Sequence, residues 1–160
     1  MLNLTTPRLL IRPFAPDDEP DAARYLSDPR TMRYLEPPFT PQKTHDFLRT
    51  CALRPEPLIL AVEERATRAV IGHVIFHPFD EGSWELGWVL RSDKCGQGCG
   101  TELGQALLSE ARRRGIPALV AETDPRNLAS QALIRSLGFA YAGQDGGLLL
   151  YRYRFKPQDP

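Results

Sequence analysis

One segment restricts the folds open to this chain more than any other. Ser83–Leu90 (SWELGWVL) reads as a strand, and it runs through Arg91–Lys94 into Cys95-Gly96-Gln97-Gly98-Cys99-Gly100-Thr101. Gly98–Arg114 then reads as an amphipathic helix, with Leu103, Leu107 and Ala111 on one stripe and Gly115 as its stop. Glycines at alternate positions let backbone pass close to a ligand and turn several N–H groups the same way. The helix that follows adds its positive end, so strand, loop and helix together make an anion site. The plainer alternative is a tight strand-to-helix turn that binds nothing.

The remaining elements fall around this unit. Arg8–Phe14 is a first strand, Asp17–Ser27 a short helix with acids in its first turn, and Pro29–Tyr34 a further turn of helix. Thr40-Pro41 is an N-cap followed by proline at the first helical position, opening a helix to about Leu53. Leu58–Glu63 and Ala69–His77 form a hairpin around Arg65–Arg68. Ala118–Thr123 is a short buried strand, Asn127–Leu137 a helix stopped by Gly138, and Phe139–Ala142 with Leu148–Phe155 the closing strands. Helices, then a meander, then strand–helix–strand–helix–strand predict a mixed α/β sheet.

Composition excludes several classes. At 160 residues the chain is about one domain, expected to span residues 1–160. Twenty basic residues balance twenty acidic ones, whereas a nucleic-acid binder usually carries a strong basic excess. The 15 prolines could suggest a loop-rich chain, but almost all fall between periodic segments rather than inside them. Three cysteines, Cys51, Cys95 and Cys99, make neither a disulfide framework nor a zinc site. MLNLTTPRLL lacks the pattern of a signal peptide, and no apolar run approaches the roughly 20 residues of a membrane span. A cytoplasmic location is expected. His73 and His77 share a strand face, but lie about 13 Å apart along it, too far for one ion. No metal is expected. The arginines of 112–114 read as a solvated helix end.

The glycine loop is not a P-loop, since no Gly-Lys-Ser/Thr follows at the required spacing. Nor is it a dinucleotide fingerprint, because the third glycine would fall at Leu103 or Thr101. CGQGCGTELGQALL resembles instead the acyl-CoA pyrophosphate loop of the GCN5-related N-acetyltransferase (GNAT) superfamily, Gln/Arg-x-x-Gly-x-Gly/Ala. Gly98 and Gly100 match, and Cys95 stands where Gln or Arg is usual. Asn127-Leu-Ala-Ser130 followed by Gly138-Phe139 resembles a second block of the family. Thr6-Pro-Arg-Leu-Leu-Ile-Arg12-Pro13 with Asp28-Pro29-x-x-Met32-x-Tyr34 is similar to the ribosomal-protein N-terminal acetyltransferase (RimJ/RimL-like) branch. The resemblance covers nearly the whole chain in order.

The resemblance implies a mostly antiparallel twisted sheet of about seven strands, splayed between strands 4 and 5 and flanked by helices. It implies direct transfer of acetyl from acetyl-CoA to an amine. Pyrophosphate would sit on Gly96, Gln97, Gly98, Cys99, Gly100 and Thr101 beside Cys95, and pantetheine along Trp88, Val89 and Leu90; Asn127, on the cofactor side, ties the start of its helix to the neighbouring loop. A backbone N–H at Trp88 or Val89 would polarise the thioester carbonyl. The amine must be neutral to attack, so a carboxylate is needed, and Glu85 is the candidate base, ahead of Asp80 and Glu81. The alternative for Glu85 is a solvent-side strand residue. Much of the family protonates the leaving thiolate with a tyrosine where this chain has Ile134. Ser130 is the substitute donor, or simply a small residue that lets the helix approach. Met32, Tyr34, Leu35, Pro37, Phe39 and Phe47 are candidates for the acceptor side.

The acceptor implied is the N-terminal α-amine of a protein such as a ribosomal protein. Alternatives are an amine-bearing antibiotic or polyamine, or a non-catalytic acyl-CoA-binding module. Neither nucleic acid nor membrane is an expected partner, while a homodimer is open to such a domain.

Overall fold

The apolar alternation of the predicted strands resolves into one eight-stranded sheet in the computed structural model, which describes residues 1–157. In chain order the strands are β1 (Leu4–Thr5), β2 (Leu9–Arg12), β3 (Ile59–Glu64), β4 (Val70–Asp80), β5 (Ser83–Leu90), β6 (Ala118–Thr123), β7 (Ala140–Asp145) and β8 (Leu148–Arg154). Across the sheet the order is β1-β2-β3-β4-β5-β6-β8-β7. Every pairing is antiparallel except β5 with β6.

The sheet has one strand beyond the expected seven. β1 is two residues long, too short for a periodic pattern, and a tight turn holds it. There the Thr6 backbone N–H donates to the Leu9 carbonyl at 2.8 Å and the Leu9 N–H to the Thr6 hydroxyl at 3.0 Å. β4 also runs past its expected end at His77. It passes through Pro78 at an irregular register step, where a missing N–H is tolerated.

Helices cover both faces. α3 (Cys99–Arg113) buries Leu103, Leu107 and Ala111 as its stripe predicts, against Leu86, Leu119 and Tyr151 of the sheet. It also buries Glu110, whose carboxylate takes Arg113 at 2.7 Å and Arg114 at 2.6 Å. These two arginines are therefore more than a solvated helix end. Their hydrogen bonds, Arg113 first, hold the Glu110 carboxyl at about 2 against the opposing effect of burial. α4 (Leu128–Ser136) lies on the same face, with Ile134 in that core.

The opposite face carries α1 (Glu19–Leu26) and α2 (Pro41–Phe47), packed with Tyr25, Leu26 and Leu48 against Ile59, Ala61 and Val89. Thr40 caps α2 as expected, its hydroxyl accepting the Lys43 N–H at 3.2 Å. The predicted continuation to Leu53 is a π-helical turn over Leu48–Ala52. Pro29–Tyr34 is not regular helix. It is a run of turns in which the Asp28 carboxylate accepts the N–H groups of Arg30 and Thr31, and Pro37-Pro38 prevents any helical extension. No helix among the described residues is long and apolar enough to cross a membrane.

Candidate active site

The parallel pairing of β5 with β6 lasts only three residues, Ser83↔Ala118, Trp84↔Leu119 and Glu85↔Val120. Beyond it the two strands part and open a cleft of about 420 Å³. Both strands run toward this opening, and the chain leaving each turns into a helix there: β5 into α3, and β6 into α4.

The edge that β5 presents to the cleft is set by strand alternation. The Arg91 N–H donates to the Ile71 carbonyl at 2.8 Å, continuing the β4–β5 ladder. The backbone groups of Val89 therefore turn to β4, and those of Trp88 and Leu90 turn to the open side. Of the two N–H groups expected to polarise a bound carbonyl, alternation selects Trp88. Val89 still lines the cleft.

Past Leu90 the loop turns through Gly96 (φ 73°) and Gly98 (φ 83°), left-handed conformations that favour glycine. Gly98 is the N-cap of α3 and supplies no side-chain cap. The first intrahelical bond runs from the Glu102 N–H to the Gly98 carbonyl at 3.0 Å. The N–H groups of Cys99, Gly100 and Thr101 thus form the positive end of the helix, without intrahelical partners. Gly100 lets α4 close on this point: a Cβ there would come within 2.5 Å of Leu133 Cδ2. An anionic group on this loop, joined to a hydrogen-bonding arm along β5, fits these residues.

Most residues expected at the donor line the cleft. They are Trp88, Val89 and Leu90 on β5, Cys95, Gly96 and Gly98 on the loop, Gly100 and Thr101 on α3, and Asn127. Gln97 and Cys99 do not: the Gln97 carbonyl accepts from Arg8 at 2.7 Å, and the Cys99 thiol is buried in the core. Burial pushes the Cys95 thiol up, the reverse of what a redox-active cysteine needs. Asn127 caps α4, its Oδ1 accepting the Ser130 N–H at 3.1 Å, and Ser130 lines the cleft one turn on. The position expected to hold a tyrosine acid carries Ile134, 2% exposed in the core.

The acceptor candidates divide. Tyr34 and Leu35 reach the cleft, with Thr31 beside them. Met32 and Phe39 are buried beneath, and Phe47 packs edge-on to Phe39 at 5.5 Å. The Asp28–Tyr34 stretch is tied to the chain just beyond β5. The Asp28 carboxylate accepts the hydroxyls of Ser92 (2.5 Å) and Thr31 (2.8 Å), and the Thr31 hydroxyl accepts the Ser92 N–H at 3.0 Å. Hydrogen bonds from Ser92, then Thr31, hold the Asp28 carboxyl at about 2. Across the cleft mouth the Arg126 guanidinium stacks 5.7 Å from the Tyr34 ring centre.

His73 and His77 go to different partners. Tyr25 lies 2.9 Å from the buried His73, which burial holds at about 4. His77 Nε2 lies 3.3 Å from Glu85 Oε2. Glu85 is half-buried at the last paired step of β5, on the same sheet face as Glu122 two residues past its partner Val120. Glu122, missed in the sequence, lines the cleft. Its signal is that it is the one charged residue in the strand ALVAET.

The Glu122 carboxyl is pushed up, first by burial, then by the charge of Glu85 and by Asp145. A raised carboxyl favours the protonated fold, so its contribution to stability is full below the unfolded value and is lost as pH rises through the folded one. Glu122→Gln is expected to raise the melting temperature at neutral pH, with the gain vanishing below about pH 4. Thermal melts across a pH series check this, and a pH-independent difference would assign the effect to packing.

Comparison with known proteins places this geometry. Residues 8–140 match the family model described as an acetyltransferase (GNAT) domain. The chain is 29% identical over 148 residues to the uncharacterized N-acetyltransferase YnaD of Bacillus subtilis, covering 89% of this chain and 85% of that protein. It is 32% identical over 119 residues to an L-methionine sulfoximine/L-methionine sulfone acetyltransferase of Pseudomonas aeruginosa, covering 71% and 68%. A GNAT-family acetyltransferase structure from Bacillus anthracis superposes with TM-score 0.85 at 23% identity, covering 96% of this chain and 98% of that one. The ribosomal L7/L12 alpha-N-protein acetyltransferase RimL, in complex with coenzyme A, superposes with TM-score 0.80 at 18% identity, covering 96% and 98%. With its splayed sheet, glycine loop and family match over most of its length, this chain belongs to the GNAT family and is an N-acetyltransferase.

Proposed function

We propose that this enzyme transfers acetyl from acetyl-CoA to the α-amine of a protein N-terminus, such as that of a ribosomal protein, in the cytoplasm. The observation that carries the reading is the cleft between β5 and β6. On one side it offers an uncapped helix end and a free strand edge, and on the other side it carries carboxylates. Acetyl-CoA supplies an activated thioester when bound.

The residues of the chain divide the remaining work. Gly96, Gly98, Gly100 and Thr101, which line the cleft, hold the pyrophosphate at the N–H end of α3. The N–H of Trp88 polarises the carbonyl where negative charge develops. Glu85 receives the proton of the attacking amine, directly or through one water, and Glu122 is close enough to share this role through its charge. The Ser130 hydroxyl donates to the departing sulfur.

A protein N-terminus suits the acceptor side better than a free amino acid. Glu85, Glu122 and Asp145 gather there, while Arg152 on that face faces Asp80 at 4.0 Å. A free α-carboxylate beside the amine would meet these acids, whereas in a peptide that group is already an amide. A second reading, acetylation of a small amine, draws on the 32% identity to the methionine sulfoximine/sulfone acetyltransferase.

A thiol-release assay over N-terminal peptides, methionine sulfone, polyamines and aminoglycosides separates the two. Turnover of peptides above the free amino-acid analogue is expected, and the reverse order would replace the first reading with the second. Glu85→Gln should lower the rate mainly below about pH 8, where a peptide α-amine is still protonated. An unchanged pH–rate profile would remove Glu85 as base. Ser130→Ala should slow acetyl transfer by about ten- to a hundred-fold in single-turnover measurements, with little change in acetyl-CoA affinity. A normal single-turnover rate would leave Ser130 a packing residue.

A further inference from the structure

The first turn of α3 carries one carboxylate, Glu102. A carboxylate in a first helical turn can fold back onto the free N–H groups or stand as a negative charge beside them. Here it is drawn off to the β1–β2 turn. Its Oε1 accepts the Thr6 hydroxyl at 2.5 Å and the Arg8 backbone N–H at 2.8 Å, and Oε2 accepts Arg8 Nε at 2.8 Å.

The same guanidinium reaches the glycine loop. Arg8 Nη1 donates to the Gln97 carbonyl at 2.7 Å, and Nη2 lies 3.3 Å from where a Cβ on Gly98 would stand. The turn that carries Arg8 is braced in its own right. The Arg65 N–H donates to the Arg8 carbonyl at 2.9 Å, and its guanidinium donates to the carbonyls of Thr6 (2.9 Å) and Pro7 (3.1 Å). Arg8 is thus a fixed cation bridging the one acid of the α3 first turn and the loop in front of it.

We propose that Arg8 is a positioning residue of the donor site. It cancels the Glu102 charge and holds the Gln97 carbonyl toward the β1–β2 turn, leaving the loop N–H groups to the phosphates of acetyl-CoA. The proposal rests on the acetyl-CoA reading of the cleft. Without Arg8, Glu102 would stand as an uncompensated negative charge within the helix turn that must accept a polyanion. The penalty would fall on phosphate-bearing donors alone, and would be largest at low ionic strength.

The test compares the full chain with R8Q, R8K and R8Q/E102Q. It measures acetyl-CoA affinity by calorimetry at two salt concentrations, and KM and kcat with acetyl-CoA and with S-acetyl-pantetheine, which lacks the phosphates. R8Q should weaken acetyl-CoA binding by about ten-fold, more at low salt, while KM for S-acetyl-pantetheine stays within about two-fold. R8Q/E102Q should recover most of the lost affinity, because the charge that Arg8 cancels is gone. R8K, which keeps the charge without the forked geometry, should lose less than R8Q, and carries the test if R8Q does not fold. Equal weakening of both donors by R8Q, no recovery in the double variant, or R8K as weak as R8Q would each overturn the proposal. Unchanged acetyl-CoA affinity in R8Q would overturn it alone. No acetyl-CoA affinity in the unaltered chain would overturn the donor reading as well.

Discussion

The parallel pairing of β5 and β6 stops at Glu85 and Val120, and the site is built around that stopping point. Parallel neighbours need a crossover, which here is α3, so both strands run toward the same edge of the sheet. The chain leaving each strand turns into a helix at that edge, which brings the starts of α3 and α4 together. Had the ladder continued in register to Trp88 and Thr123, the backbone groups of Trp88 would be spent on β6. Because it ends early, they remain as a free strand edge inside a cleft.

Sheet alternation then separates two kinds of chemistry. Trp84, Leu86 and Leu119 pack on the α3 face, whereas Glu85, Val89 and Glu122 stand on the face of α1 and α2. The positive field of the α3 end and the negative field of the carboxylates therefore approach the cleft from opposite sides. A net charge of zero is compatible with both, because the positive field comes from backbone N–H groups that no count of lysines and arginines includes. The one acid that would spoil it, Glu102, is held by Thr6 and Arg8.

Local signals in the sequence carried most of the elements. β5 and β6 have the predicted boundaries, and the Thr40-Pro41 cap and the α3 stripe stand where the pattern put them. The misses divide: β1 is too short for a periodic pattern, whereas Glu122 and the Asp28 tie depend on partners far along the chain. β1 exists only because Leu10 and Ile11 lie beside it. The Asp28–Tyr34 turns begin on local bonds to Arg30 and Thr31, and Asp28 is also tied to Ser92, 64 positions away. Glu122 reaches the cleft because β6 pairs with β5 in one register, and a single strand of six residues does not announce its register. The glycine loop was legible for the opposite reason: its glycines and its helix are contiguous.

The Asp28–Ser92 contact also links the two sides of the site. Ser92 is the second residue after β5, in the short turn that leads to the glycine loop, and Asp28 opens the stretch that carries Thr31, Tyr34 and Leu35 into the cleft. Tyr34 in turn meets Arg126, which Asp124 holds at 2.8 Å in the turn before α4. The Asp28–Leu35 stretch is therefore fastened at one end to the segment before the glycine loop and touches the α4 side at the other. A displacement of either helix start would be felt by Thr31, Tyr34 and Leu35 in the cleft. The two sides of the cleft thus share one framework, whose reference point is the three-residue pairing of β5 with β6.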